Sequence, residues 1–252
     1  MLRRIDFNCD LGEGCEDAAV MPYISSANIA CGLHAGNPQT MRDTIALCRQ
    51  HGVQVGAHPS FNDRANFGRT PQAIAPADAH ALVLYQLGAL AAIAREQGQT
   101  LRHAKPHGAL YNQAADDGAL ADAVAHAVFD FDPSLILYGL SGSELTAAGE
   151  RIGLRVAHEV FAERSYEANG RLTPRTLPGA VIDALDASLQ QVRMLVRDGR
   201  VIARTGELVP LRADTLCLHG DRADAAHFAR AVRDALEADG IDVIAPDGEI
   251  GT

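Results

Sequence analysis

The stretch Ile5-Asp6-Phe7-Asn8-Cys9-Asp10-Leu11-Gly12-Glu13-Gly14 changes character half-way along. Ile5–Cys9 has the length of a strand, and the remainder is polar and rich in glycine, as expected where a strand delivers reactive groups at its carboxyl end. Side chains alternate along a strand, so Asn8 and Asp10 share one face. The same handover recurs down the chain. Strand candidates lie at Ala27–Cys31, Val53–Ala57, Leu101–Lys105, Leu135–Tyr138, Leu154–His158, Thr215–His219 and Ile241–Ala245. Between them run helical patterns: Asn37-Pro38 offers an N-cap and a proline at the first helical position, Met41, Ile45 and Cys48 form one apolar stripe, and Gly52 ends it. Further helices are expected over Pro76–Gly98, Leu120–Val128, Ser143–Gly153, Ile182–Gly199 and Asp224–Gly240.

Alternation of strand and helix predicts an α/β fold with a parallel sheet. Seven or eight βα units in 252 residues are what an irregular TIM-like barrel requires; an open doubly wound sheet is the rival. No linker or abrupt change of composition interrupts the pattern, so residues 1–252 are read as one barrel domain. Three irregular stretches, Ser60–Pro76, Phe161–Pro178 and Arg200–Ala213, have the length of lids or binding loops, the last with a short hairpin around Thr205-Gly206.

Composition narrows the partners. A chain of this length buries roughly three quarters of its unfolded surface, so it needs no disulfide staples. The net charge of −10 disfavours nucleic acid and anionic membrane surfaces, whose binding relies on clustered Lys and Arg. Five Cys without C-x-x-C spacing fit a reducing cytoplasm better than a disulfide framework or a zinc knuckle. No apolar leader is visible, and no stretch is expected to span a membrane. Of the 22 basic residues 21 are Arg; the exception is Lys105. Where Arg has replaced Lys so widely, the position that kept a compact ammonium marks itself for attention.

Reactive types gather at the predicted strand ends. They are Asn8 and Asp10 on the first strand, Asn28 and His34 after the second, His58 after the third, Lys105 and His107 after the fourth, Glu159 after the sixth, and His219 and Asp221 after the seventh. A lone strand-end Asp is usually a turn-former or N-cap, and a lone His is usually structural. The joint placement on one rim is what indicates an active site. Asp10, His58, Lys105 and His107 are the catalytic candidates; Asn8, Asn28, His34, Glu159, His219 and Asp221 are candidate binding residues. Arg64 and Arg69, on a glycine-containing loop, suit capture of carboxylate or phosphate. Two chemistries fit. In one, Asp10, His58 and His107 ligate a divalent ion that activates water; in the other, carboxylate and imidazoles act as acid and base while Lys105 steadies a developing anion. A P-loop, a G-x-G-x-x-G fingerprint and a G-x-S-x-G elbow are all absent.

Six blocks in order resemble the motifs of the lactam-utilisation family, the A subunits of bacterial 5-oxoprolinases. They are Asn8-Cys9-Asp10-Leu11-Gly12-Glu13, the run Asn28 to Gly36, Gly56-Ala57-His58-Pro59-Ser60, Phe67-Gly68-Arg69, Lys105-Pro106-His107-Gly108-Ala109-Leu110-Tyr111 and His219-Gly220-Asp221. The resemblance implies a barrel similar to that of glycoside hydrolases and carbohydrate deacetylases. It also implies ATP-dependent opening of 5-oxoproline to L-glutamate, with ATP and its Mg2+ counter-ion, in a complex with partner subunits B and C. A five-membered lactam is a stable amide, and phosphorylation of the amide oxygen before water adds would explain the need for ATP. The alternatives are a stand-alone metal-dependent deacetylase or amidohydrolase and a scaffold subunit without catalytic function. The sequence leaves open whether the chain forms a homo-oligomer.

Overall fold

The first strand, β1 (Arg3–Leu11), is followed by a short helix α1 (Asp17–Val20) and by β2 (Ser26–Ala30). Then come α2 (Pro38–His51), β3 (Gln54–His58), α3 (Pro76–Glu96), β4 (His103–Ala104), α4 (Gly108–Ala114) and α5 (Gly118–Phe131). The second half runs β5 (Ile136–Leu140), α6 (Glu144–Arg151), β6 (Arg155–Phe161), α7 (Leu185–Asp198) and an antiparallel hairpin of β7 (Arg200–Ile202) and β8 (Leu208–Pro210). It ends with β9 (Thr215–His219), α8 (Ala225–Ala238) and β10 (Ile241–Val243). These elements come from a computed structural model that describes residues 3–220 and 224–246.

Strands β1 to β6 pair in sequence and in parallel, β6 pairs with β9, and β9 returns to β1, which closes a barrel of seven strands. The eighth expected strand does not close it. β9 takes Asp6–Asp10 of β1, so β10 reaches only Arg3–Ile5 on the same edge, where it is a short addition. The fourth strand shrinks to two residues: Pro106 has no N–H to donate, while Lys105 and His107 on either side of it still donate to the Ala57 and Pro59 carbonyls. The hairpin appears where Thr205-Gly206 predicted it.

Local chemistry explains the helix ends. Asn37 accepts from the N–H groups of Gln39 and Thr40, Asp117 caps α5 in the same manner, and Ser143 caps α6. Helix α7 begins three residues later than the Ile182 start expected, since the Ile182 N–H is bonded to the Glu163 carbonyl. Helix α4 was not expected at all. It is too short for a periodic signal, and it is set by His107 and by Gly108, whose φ of 56° turns the chain out of the strand.

The expectation that no stretch approaches a membrane span needs one correction. Helix α3 has 21 residues and a window of mean hydropathy 1.4, long and apolar enough by those criteria. It serves as an outer wall of the barrel: Ala79, Val83, Leu87, Leu90 and Ala94 are buried, and the helix packs along α5. On its buried face Gln86 exchanges two hydrogen bonds with the backbone of Ser60, 2.9 Å each way, which fixes the loop that follows β3.

Candidate active site

The inward faces of the barrel strands carry polar side chains in tiers. At the base the Asp6 carboxylate accepts from the hydroxyls of Ser25, Ser26, Tyr138 and Thr215 at 2.6 to 3.0 Å. Burial raises its pKa, although these four bonds favour the anion. One rung higher, Asn8 donates to Thr215 (2.6 Å) and Glu159 (3.0 Å) and accepts from Asn28 (2.7 Å), whose own carbonyl oxygen meets His103 at 2.7 Å. Burial pushes His103 down to about 3, so its ring is neutral.

Above this lies Lys105, 2% exposed. Its ammonium contacts Asp10 and Glu159 at 2.8 Å each and the Cys217 sulfur at 3.1 Å. Burial opposes the charge, but the neighbouring anions outweigh it and hold the Lys105 pKa well above its ordinary value. Lys105 is therefore a fixed positive charge, not a proton carrier. Asp10 is the mirror case: burial works against its anion, and His58 and Lys105 more than compensate, so it stays ionised. Tyr111 donates to the second Glu159 oxygen at 2.7 Å.

The rim holds three imidazoles and a carboxylate. His58 Nδ1 lies 2.7 Å from the Lys105 carbonyl, and His107 Nε2 lies 2.8 Å from that of Phe67. A carbonyl only accepts, so each of these nitrogens carries a proton, and His58 Nε2 and His107 Nδ1 face each other at 2.9 Å. His34 stacks flat on His107, with centroids 3.9 Å apart. Burial and the adjacent imidazoles hold His107 well below its usual pKa and His34 at about 3. Glu13 lies 2.9 Å from His34 and 3.4 Å from His107. Two glycines allow this crowding. A Cβ on Gly68 would meet His34 and His107 at 2.9 Å, and one on Gly108 would meet the Gly68 carbonyl at 2.5 Å.

Asp10, His58, Lys105, His107 and His219 line one cavity of 670 Å³, of the size of small-molecule sites. Its mouth carries Arg69, Arg164, Arg171 and Arg175, supplied by the loops after β3 and β6. Arg164 donates to the carbonyls of Thr173 and Ala180, which folds the long loop over the opening; burial lowers its pKa to about 10. His219 sits against Phe161, and Glu163 accepts from both its backbone and its ring.

Several sequence assignments shift. Asn8, Asn28 and Glu159 do not line the cavity; they are fully buried, and their contacts position Lys105 and Asp10. Arg64 donates to the Gly36 carbonyl and, with His34 and Glu13, borders a separate cavity of 360 Å³. Asp221 lies outside the described residues. Sequence reasoning missed Glu13, Tyr111, Arg171 and Arg175. Glu13 stood in the first quoted motif, three residues past Asp10. The arginines carried no signal, because their convergence is made by loop folding.

Comparison with known proteins places this arrangement. A sequence profile of the LamB/YcsF family matches residues 5–250. The chain belongs to the LamB/YcsF family. One LamB/YcsF relative, the A subunit of the 5-oxoprolinase of Bordetella pertussis, is 55% identical over 243 residues, 94% of this chain and 96% of the relative. The crystal structure of a lactam utilization protein from Thermus thermophilus superposes with a TM-score of 0.90 at 43% identity, covering 96% of this chain and all of that one. The catalytic domain of a peptidoglycan N-acetylglucosamine deacetylase from Eubacterium rectale shares the fold alone. Its TM-score is 0.56 at 11% identity, over 98% of this chain and 89% of that one. The LamB/YcsF barrel thus has the deacetylase-like architecture that the sequence resemblance implied.

Proposed function

We propose that this chain is the A subunit of an ATP-dependent 5-oxoprolinase, which opens 5-oxo-L-proline to L-glutamate in the cytoplasm with partner subunits B and C. The observation that carries the reading is the 55% identity to a protein named as the A subunit of 5-oxoprolinase, over nearly the whole of both chains. The cavity supports it. A small lactam fits easily within 670 Å³, and the arginine mouth suits its carboxylate or the phosphates of ATP with Mg2+. Arg69 is the binding candidate from the sequence that lies there; His219 lies deeper, beside Asp10.

Within the cavity, His58 Nε2, 3.3 Å from Asp10, is placed to exchange a proton with attacking water, and Asp10 steadies the imidazolium form. Lys105 holds Asp10 in place and presents positive charge toward an oxyanion formed at the lactam carbon. His107 completes the wall against His58 at 2.9 Å. Phosphorylation of the amide oxygen would make the lactam carbon a better electrophile: water adds there, the C–N bond breaks with a proton delivered to nitrogen, and hydrolysis of the resulting acyl phosphate yields glutamate and inorganic phosphate.

The test is glutamate release from 5-oxoproline by this protein with its B and C subunits, with and without ATP. ATP-dependent release that requires this chain is expected. Equal release without ATP refutes the coupling, and ATP-independent hydrolysis of an N-acetyl sugar by this chain alone would establish the stand-alone amidohydrolase instead.

A further inference from the structure

We propose that α3 is a homodimer interface: two copies of this chain pair through the outer faces of their α3 helices, antiparallel about a two-fold axis that passes between Gln86 and Leu87. Helix α3 has two faces. Ala79, Val83, Gln86, Leu87, Leu90 and Ala94 are buried against the barrel. Opposite them, at the alternating three- and four-residue spacing of a helix–helix seam, stand Asp78, Ala81, Tyr85, Gly88, Ala92 and Arg95. From Ala81 to Ala94 the helix carries no charged residue on either face, although only 33% of its most apolar stretch is buried. A helix in the outer ring of a barrel ordinarily turns charged and polar residues to water. Tyr85, 64% exposed, is the most exposed large apolar side chain among the described residues.

Two features of this face have no explanation within one chain. Gly88 sits in the middle of α3, where glycine costs about 0.5–1 kcal/mol relative to Ala. Its φ is not in the left-handed region, and a Cβ there would meet nothing within 4 Å outside the helix's own backbone. The helix therefore gives up stability for a hollow on its outer surface. The second feature is a pair of unmatched charges at the two ends of the face. Neither the Asp78 carboxylate nor the Arg95 guanidinium has an ion-pair or hydrogen-bond partner among the described residues, whereas the nearby His80 and Glu96 pair with Asp130 and Arg42.

Antiparallel pairing accounts for both. With the axis between Gln86 and Leu87, Tyr85 of one copy lies opposite Gly88 of the second copy, Ala81 opposite Ala92, and Asp78 opposite Arg95. Each layer occurs twice, because a two-fold contact is isologous. The phenol ring enters the hollow that the missing Cβ leaves, the alanines let the two helices approach closely, and each end layer sets an anion against a cation. A slip of four residues either way would part the charges and set Tyr85 against Ala92 or Leu84. From Asp78 to Arg95 the seam runs about 26 Å at 1.5 Å per residue. Each copy carries a net charge of −10, so two copies meet most easily over a surface without acidic residues in its middle.

The interface stands on α3 and not on the proposed oxoprolinase reading, and its test uses neither substrate, ATP nor the partner subunits. Analytical ultracentrifugation of the full chain alone is expected to show a reversible monomer–dimer equilibrium. Tyr85→Asp should weaken it at least about thirtyfold, as loss of an aromatic anchor at a contact centre does. Asp78→Arg and Arg95→Asp should each weaken it about tenfold or more, because each sets like charges opposite one another twice per dimer. The doubly exchanged chain, and an equimolar mixture of the two single variants, should recover the wild-type affinity. These side chains are exposed, so the variants should fold, which circular dichroism checks. Ile202→Asp, on the exposed face of the hairpin, should leave the dimer unchanged. A wild-type chain that stays monomeric at all concentrations overturns the proposal, even if a partner subunit then binds at α3. A dimer that survives Tyr85→Asp, or exchanged charges that bring no recovery, overturns it as well and moves the association to another face.

Discussion

Replacing Lys105 with Met removes a buried ammonium from inside the barrel while keeping a flexible side chain of similar length. The wild-type ammonium neutralises Asp10 and Glu159, both 2.8 Å away and at most 3% exposed. Removing one partner of such a buried pair typically costs about 3–5 kcal/mol, because the remaining charge is left without compensation. In a chain of this size each kcal/mol lowers Tm by roughly 2–4 °C, so a fall of about 6–20 °C is expected. Calorimetric unfolding at neutral pH measures it, with circular dichroism to confirm the fold. Adding Glu159→Gln should return about 1–3 kcal/mol, since it removes one stranded carboxylate and shares a network with the first change. Lys105→Arg separates charge from shape: it keeps the positive charge, but its guanidinium overpacks a site 2% exposed, at about 1–3 kcal/mol, and turnover should approach that of Lys105→Ala. A Tm fall below about 2 °C for Lys105→Met, or an Arg variant with wild-type turnover, would refute the view that this ammonium is a fixed structural and electrostatic centre.

Asp10→Asn and His58→Ala should each lower 5-oxoproline turnover by at least about a hundredfold in the reconstituted complex without unfolding the chain; folded variants with near-normal rates would reduce both to turn-formers. Gly56→Ala would place a Cβ 2.0 Å from His103 Nε2 inside the barrel, so a loss of about 1–3 kcal/mol in denaturant unfolding is expected, and an unchanged midpoint would argue against this packing. Gln86→Leu strips Ser60 of both backbone partners and should cost about 1–3 kcal/mol; it should also reduce turnover through His58, two residues upstream, and a stability loss with kinetics intact would separate the loop from the site.

What the sequence determined by itself was whatever is written in local pattern. Apolar runs of strand length ending in polar residues marked the strands, caps such as Asn37 and Ser143 marked the helix starts, and the recurrence of Asp, His and Lys at strand ends located the rim. Tertiary structure decided the rest, because each remaining question turned on distance between segments far apart in the chain. Whether β10 or β9 closes the barrel depends on which strand reaches Asp6–Asp10 of β1. That Asn8 and Glu159 are shut off from the cavity, while Asp10 lines it, depends on a depth within the barrel that alternation cannot assign. The approach of Glu13 to His34 and His107 needs three loops to converge, and the positive-φ glycines Gly68 and Gly108 make it sterically allowed. The arginines at the mouth come together only because Arg164 ties its own loop down onto Thr173 and Ala180, a closure of long-range hydrogen bonds that leaves no trace in residue spacing.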